Sequence, residues 1–297
     1  MFKITETSVD SSQLPMRLQD LVKSIFIEFL PSGKSIKKSI KAGAVRVNND
    51  TSTTGYWVKS TDIISLWDLE KNPPKPYHSK LEILYLDDHL AVINKPPGIT
   101  VSGNQFRTIQ NMLVYNIQRS TCKDALAWCR PVHRLDNQTR GLLLVARSIS
   151  ALVKLGQAFE MNQIQKEYHA VVVGKTAEQG EIKFEIENKI AHTTYDLVQT
   201  SRSQRDKYLS LLKIKLHTGR THQIRIHFSQ SGNPVLGDKL YADNKKTLKH
   251  KGLFLASTKL TFSHPVSKQS IEVKIPVPEK FLKHLKREEH RSEMHSN

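Results

Sequence analysis

The spacing of apolar residues in the first part of the chain predicts two helices followed by short strands. Apolar side chains recur every three or four positions from Leu14 to Leu30, and Pro31-Ser32-Gly33 ends that helix. A second, shorter helix is predicted over 35–42. Val45 and Val47 then alternate as a strand, and strand-like segments fill 56–67. We therefore predict a small α/β domain over 14–70.

A proline-rich segment, Lys71-Asn72-Pro73-Pro74-Lys75-Pro76, follows and favours an extended connector, so we predict a linker over 71–80. The larger segment, 81–283, mixes period-two strands with helices such as 150–160. This mixture predicts an α+β domain, with a mixed, largely antiparallel sheet and flanking helices. Residues 284–297 are charged and poor in apolar residues, which predicts a disordered tail.

One buried strand follows directly after a polar loop that holds a carboxylate. Residues 142–146 are an unbroken apolar run between Gly141 and Arg147, which is typical of a strand covered on both faces. The preceding segment, Asp136-Asn137-Gln138-Thr139-Arg140, must then be a surface loop at the sheet's edge. Taken alone, this loop could be a simple turn in which Asp136 bonds nearby backbone amides.

The charge of the chain changes the reading of this loop. Lysine and arginine number 45 against 28 acidic residues, a net charge of +17 with a pI near 9.8. Such an excess favours a polyanionic partner, and nucleic acid leads because no basic amphipathic anchor or lipidation signal is evident. The first residues contain no signal-peptide core and no apolar run approaches a membrane span. We expect a cytoplasmic protein without membrane contact.

Four lysines of the second predicted helix share one face. Lys34, Lys37, Lys38 and Lys41 follow the spacing i, i+3, i+4 and i+7, so their charges repel one another unless an anion lies against them. A solvated face and a phosphate-binding face both fit this stripe. The excess positive charge of the chain favours phosphate binding.

Two further segments concentrate polar side chains at predicted strand ends. In one of them, strand alternation places Lys166 and Tyr168 on the same face, although a tyrosine there could also belong to the core. The other segment, 218–227, is dense in hydrogen-bond donors and nearly lacks acidic residues. Its arginines cannot be buried unpaired, so they need carboxylate or phosphate partners.

The sequence lacks the residue patterns of several other kinds of functional site. The segment Pro31-Ser32-Gly33-Lys34-Ser35 imitates a phosphate-binding loop, but Glu28 stands where that motif needs glycine. The spacing of His217, His222 and His227 fits neither one helix face nor one strand face. Cys122 and Cys129 suit neither a disulfide framework nor a zinc ribbon. We predict no metal site and two ordinary thiols.

Four ordered motifs together resemble the large-subunit ribosomal class of RNA pseudouridine synthases. These motifs are Asn94-Lys95-Pro96-Pro97-Gly98, then His133-Arg134-Leu135-Asp136 with Thr139 and Gly141, then Lys166-Glu167-Tyr168, then Arg220-Thr221-His222-Gln223-Ile224-Arg225. The resemblance spans about residues 80–280, and 14–70 resembles an RNA-binding module named after a small-subunit ribosomal protein. Arg140 departs from the pattern, where the family commonly has a small hydroxyl residue.

The resemblance implies isomerisation of uridine in RNA without a cofactor or metal, with Asp136 as the essential aspartate. The carboxylate could add to the anomeric carbon or remove the neighbouring sugar proton, and the sequence leaves both routes open. Arg225 is the implied partner of Asp136, with Arg220 as its substitute, and Tyr168 would lie against the uracil. The implied contacts to RNA are His133, Arg134, Thr139, Lys166, Arg220, His222, Gln223 and Lys95.

The substrate is expected to be ribosomal RNA, with transfer RNA as the second choice, because of the N-terminal module. The main alternative is a non-catalytic RNA-binding or ribosome-assembly factor on the same fold. A metal-dependent nuclease would need clustered carboxylates to hold magnesium, and the sequence lacks them. No long heptad pattern argues for assembly, so we expect a monomer.

Overall fold

A computed structural model describes residues 2–69, 73–242 and 251–294. The N-terminal part forms a four-stranded sheet in the order β1-β4-β2-β3 with two short helices. Its elements are β1 (Phe2–Ser8), α1 (Leu18–Ile25), α2 (Gly33–Lys41), β2 (Val45–Val47), β3 (Asp50–Thr51) and β4 (Ile63–Asp68).

The N-terminal module begins earlier than the sequence predicts. Strand β1 pairs with β4 along its whole length, so residues 2–8 belong to the module that we predicted to begin at 14. Helix α1 is also shorter than the predicted 14–30. Residues 73–80 of the predicted linker form neither helix nor strand, and Lys71 and Asn72 lie outside the described residues.

The second part of the chain forms a large, mostly antiparallel sheet with flanking helices, which confirms the predicted α+β fold. The path of strands is β10-β11-β12-β9-β13-β8-β6-β5, with β7 paired to β8 and β14 paired to β13. The elements are β5 (Glu82–Leu86), β6 (Leu90–Lys95), α3 (Ile109–Asn116), β7 (Ala125–Pro131), β8 (Arg140–Ser148), α4 (Ile149–Glu160), β9 (Gln165–Val173), β10 (Gln179–Ile182), β11 (Thr193–Ser203), β12 (Lys207–Leu216), α5 (Gln223–Gln230), β13 (Leu255–Ser263), β14 (Ser270–Lys274) and α6 (Glu279–Met294).

Strand β8 is the centre of this domain. Its apolar run is fully buried, and alternate side chains enter two different clusters of the core, one on each face of the sheet. Leu143 and Val145 face the cluster that contains α3, whereas Leu142 and Leu144 face the cluster that contains α4. Each such buried side chain contributes roughly 1.5–3 kcal/mol. The loop before β8 is therefore attached to a rigid strand.

Gly141 occupies the point where β8 meets two other strands. Its φ is +108°, and a Cβ built there would lie 2.0 Å from the carbonyl oxygen of Ser257 on β13. Ser257 pairs with Gly141 on one side and with Tyr168 of β9 on the other. This close approach needs glycine, and it fixes the end of the polar loop beside Tyr168.

The C-terminal segment is helical up to residue 294, so the predicted disordered tail is wrong for 284–294. Helix α6 buries Phe281 and Leu285 against Phe254 and its neighbours. Glu288, also buried, accepts a hydrogen bond from the Ser203 hydroxyl of β11 at 2.9 Å. The packing of these apolar side chains and the hydrogen bond to Glu288 hold α6 against the large domain. Residues 295–297 of the predicted tail lie outside the described part.

The module packs against the large sheet. Asp68 at the end of β4 forms an ion pair with Arg130 of β7 at 2.6 Å, and Asp68 is only 9% exposed. Ile4 and Phe29 contact the apolar cluster of the large domain that also contains α4. Within the described ranges, no helix has the length and apolar character needed to span a membrane.

Candidate active site

A cavity of about 430 Å³ opens at the loop before β8, and it brings together ten of the predicted site residues. The loop contributes His133, Arg134, Asp136 and Thr139, and β9 contributes Lys166 and Tyr168. The segment before α5 contributes Arg220 and His222, and the first turn of α5 contributes Gln223 and Arg225. Lys95 and the four lysines of α2 do not line this cavity.

Asp136 and Arg225 are in contact across the cavity floor. The Asp136 carboxylate accepts a hydrogen bond from Nη1 of Arg225 at 3.2 Å, and Nε2 of His222 lies 3.5 Å from its other oxygen. The Asp136 side chain keeps 17% of its surface exposed, so it faces the cavity. Arg220, the predicted substitute, instead donates from Nε to the Ile190 carbonyl.

A second carboxylate, Asp238, holds the other side of Arg225. Its two oxygens accept from Nε and Nη2 of Arg225 at 2.7 and 2.8 Å, and the backbone amides of Leu240 and Tyr241 donate to it as well. Burial alone would raise the pKa of Asp238, but these hydrogen bonds outweigh burial and hold it below its ordinary value. Arg225 therefore has two negative partners, of which one faces the cavity.

Sequence reasoning missed Asp238. The requirement that a buried arginine be paired pointed to a carboxylate, and Asp238 is an acidic residue in a short, otherwise uncharged stretch after α5. Thirteen positions separate the two residues, a separation that no helix or strand periodicity connects. Only the path of the chain after α5 brings them together.

Tyr168 forms one wall of the cavity. It is 7% exposed and belongs to the core cluster beneath β8 and β9. Burial, together with the negative charge of Asp136, raises the pKa of the Tyr168 phenol, which therefore stays protonated at neutral pH. The ring can offer a flat surface to a base without contributing a charge.

Lys95, which the sequence predicts as an RNA contact, is turned into the protein instead of the cavity. Its side chain is completely buried, and Nζ donates to the carbonyl oxygens of Pro96, Asn137 and Thr139 at 2.8–3.0 Å. Burial lowers the pKa of Lys95 to about 8, while the negative charge of Asp136 opposes that shift. The ammonium group therefore links the part of the loop that follows Asp136, at Asn137 and Thr139, to the end of β6.

Lys95→Met should destabilise the loop and the fold. Three carbonyl oxygens would lose a buried donor, so we expect the free energy of unfolding to fall by roughly 1–3 kcal/mol. Urea denaturation measures this change, and Lys215→Met, at an exposed lysine of β12, is the control. An unfolding free energy equal to that of the control variant would show that the three hydrogen bonds contribute nothing.

Two other predicted RNA contacts, His133 and Gln223, bond to the protein itself, and a third, Thr139, is buried. His133 accepts a hydrogen bond from the Leu144 amide at 3.0 Å and stacks on Phe159, and burial lowers its pKa to about 3. Both ends of the buried Gln223 amide group bond to backbone or hydroxyl groups around residues 192–193 and 218–220. Thr139 is 2% exposed. These side chains shape the cavity more than they offer donors to a ligand.

The cavity rim keeps several cationic groups available. Arg134 and Arg220 are exposed, and Lys166 lies on the wall, where burial lowers its pKa. His222 stands at a left-handed backbone position, and its Nδ1 lies 2.8 Å from the Tyr241 hydroxyl. An anionic, base-bearing ligand fits this combination of a cationic rim and an aromatic wall.

The remaining predicted positions lie away from the cavity. Lys34, Lys37, Lys38 and Lys41 are all exposed on α2, while Ile36 and Ile40 of that helix are buried. Arg140, the departure from the motif, lies at the start of β8 opposite Ala256. Burial, together with the positive charges of Arg140 and Lys251, lowers the pKa of Lys280 in α6.

Comparison with known proteins relates the chain to one family. Residues 89–230 match the family described as RNA pseudouridylate synthase. The uncharacterized RNA pseudouridine synthase YhcT of Bacillus subtilis is 33% identical over 253 residues, which cover 79% of this chain and 82% of that protein. The ribosomal large subunit pseudouridine synthase D of Xylella fastidiosa is 30% identical over 300 residues, covering 92% and 89%.

A solved structure shares the fold. Human RNA pseudouridylate synthase domain containing 1 superimposes with a TM-score of 0.57 at 24% identity, covering 67% of this chain and 84% of that one.

Proposed function

The chain belongs to the RNA pseudouridylate synthase family, and on that premise we propose that it isomerises uridine in ribosomal RNA, with Asp136 as the catalytic carboxylate and no cofactor. The observation that carries the proposal is the contact of Asp136 with Arg225 at the floor of a cavity with a cationic rim. A protein that only binds RNA gains nothing from a carboxylate in that position, because it would repel the phosphates.

The reaction breaks the bond between uracil and ribose and rejoins the two through carbon. Positive character develops at the sugar when the first bond breaks, as in glycoside hydrolysis, and the Asp136 carboxylate would stabilise it. Adding to the anomeric carbon and removing the neighbouring sugar proton are both open to this group. The detached uracil must turn while water is kept out, which a cavity with a buried wall favours.

Arg225 and Tyr168 would support Asp136 in different ways. Arg225 supplies a fixed positive charge against the carboxylate, and Asp238 orients the guanidinium from behind. Tyr168 would stack on the target base, and such stacking is worth about 1–3 kcal/mol, which offsets part of the cost of unstacking the nucleotide. Arg134 and Lys166 would contact the phosphates of the extruded nucleotide.

The choice of ribosomal RNA follows relatives such as the ribosomal large subunit pseudouridine synthase D of Xylella fastidiosa. Carbodiimide-based mapping of pseudouridine tests it, in ribosomal and transfer RNA from cells with and without the gene. We expect one or more sites in ribosomal RNA to be lost and then restored when purified protein is added. Loss only in transfer RNA would favour the second substrate, and no loss anywhere would favour a non-catalytic RNA-binding protein.

The lysine stripe of α2 should provide part of the affinity for RNA. Replacing Lys37, Lys38 and Lys41 with alanine should weaken RNA binding and flatten its salt dependence, because each lost phosphate contact lowers the slope by roughly 0.7–0.9. Binding measured at several salt concentrations gives this slope. Charge substitution is preferable to deletion of the module, since Ile4 and Phe29 pack on the large domain.

A matched variant separates a specific phosphate contact from general loss of charge. Lys283, Lys286 and Arg287 are exposed on α6, and replacing them with alanine removes the same charge from another helix. If the two triple variants have equal salt slopes, the α2 lysines form a solvated face.

A further inference from the structure

Three side chains of different donor chemistry meet at the end of β8 that lies opposite Asp136. Single donor atoms of His89, Cys122 and Asp124 all lie within 4.8 Å of one another. His89 follows β5 in the turn to β6, whereas the other two precede β7, so the group joins two segments distant in sequence. We propose that these residues bind a divalent transition-metal ion of the zinc type.

The surrounding structure fixes two of the three donors. Nδ1 of His89 lies 3.2 Å from the hydroxyl of Ser148, which leaves Nε2 as the nitrogen available to a metal. One oxygen of Asp124 accepts a hydrogen bond from the Ser150 amide at 2.8 Å and keeps further lone pairs for a ligand. Ser148 itself is completely buried and caps α4. Such partners orient the ligands of known metal sites.

Carboxylates surround the proposed ligands although the protein as a whole carries +17, and Lys123 between Cys122 and Asp124 is exposed. Asp88 and Asp87 adjoin His89 in the same turn, and Asp124 faces them from the segment before β7. His264 pairs with Asp87 at 3.0 Å. The nearby guanidinium of Arg147 donates to the carbonyl oxygens of Asp87 and Gln118, so these bonds do not occupy the Asp124 carboxylate.

The donor set selects the class of metal. A thiolate, an imidazole and a carboxylate suit zinc or cobalt, whereas magnesium and calcium prefer oxygen ligands alone. Three protein ligands leave a fourth tetrahedral position for water or another small ligand. The proposal revises the prediction that Cys122 is an ordinary thiol and that the chain has no metal site.

The metal would not take part in the isomerisation. Strand β8 separates the cluster from the Asp136 loop by roughly 26 Å, at about 3.3 Å for each residue from Arg140 to Ser148. Its effect would instead be to link the turn before β6 to the segment before β7. The proposal is therefore independent of the function proposed for Asp136.

Cobalt(II) spectroscopy on the full-length, tag-free, reduced and chelator-treated protein tests the site. A near-ultraviolet band from thiolate-to-cobalt charge transfer should grow to one equivalent and disappear when Zn²⁺ is added. Cys122→Ser should lose the band, while Cys129→Ala, at the buried cysteine of β7, should keep it. His89→Ala and Asp124→Asn should lower zinc affinity, measured against a chromophoric chelator, by roughly tenfold or more, the scale seen when even supporting residues are removed.

Several results would overturn the proposal. They are the absence of a charge-transfer band in the wild-type protein, an equal band in Cys122→Ser, or zinc affinity that is unchanged in His89→Ala. Saturating Zn²⁺ should also raise the melting temperature of the wild-type protein but not of Cys122→Ser, because a ligand that binds only the folded state stabilises it. Pseudouridine formation by Cys122→Ser should equal that of the wild type.

Discussion

Asp136→Ala is expected to abolish pseudouridine formation while the protein stays folded and continues to bind RNA. If Asp136 attacks or deprotonates the sugar as proposed, its removal should lower the rate on the order of 10⁴-fold or more. The fold should tolerate the change because Arg225 keeps both hydrogen bonds to Asp238, so no buried guanidinium is left unpaired. RNA affinity should be unchanged or slightly higher, since one negative charge leaves a cationic cavity.

Single-turnover assays on a substrate RNA identified by mapping measure the rate, and filter binding measures the affinity. Asp196→Ala is the matched control, because Asp196 is a half-exposed carboxylate of β11 paired with Lys213. It should retain full activity. Pseudouridine formation by Asp136→Ala at a rate within tenfold of this control would exclude Asp136 as the catalytic carboxylate.

Asp238→Ala, unlike Asp136→Ala, should cause a large loss of stability. Asp238 is almost completely buried and makes the closer contacts to Arg225. Removing one partner of a buried pair commonly costs about 3–5 kcal/mol, because the other charge stays buried without its partner. Arg225 would then rely on Asp136 alone, so the geometry of the catalytic carboxylate should change and the rate should fall as well.

Urea denaturation of Asp238→Ala, compared with Asp196→Ala, measures this cost. The exposed control should lose about 0–1 kcal/mol, the usual value for a surface ion pair. Asp238→Asn, which keeps an acceptor for the Leu240 and Tyr241 amides, should fall between the two. A loss in Asp238→Ala no larger than in the control would mean that Asp136 alone is sufficient to hold Arg225.

Much of the fold follows from short-range patterns in the sequence. The apolar run of β8, the helix of 149–160 and the lysine face of α2 each depend on residues within one element, so spacing predicts them. The α6 helix was missed because its stability depends on contacts with Phe254 and β11, which lie far away in the sequence. Composition alone made that segment look disordered.

The roles of the site residues were harder to predict than the fold, because they too depend on contacts between distant parts of the chain. A polar residue type does not reveal whether its donors are used by the protein or offered to a ligand. Lys95 and Gln223 donate hydrogen bonds to backbone carbonyls and hydroxyls of the protein, and His133 accepts a hydrogen bond from a backbone amide. Asp238, in contrast, lies outside every motif, and its contact with Arg225 depends on tertiary structure alone.

Gly141 limits which residues can stand beside the Asp136 loop. Most surface positions can exchange one side chain for another at little cost, but the first carbon of any side chain at 141 would collide with the backbone of Ser257. Selection would therefore retain this glycine even in a descendant without activity, as long as β13 still paired with both β8 and β9 at Ser257. A glycine at this position would mark the inherited architecture, whereas the aspartate five residues earlier would mark the chemistry proposed for the site.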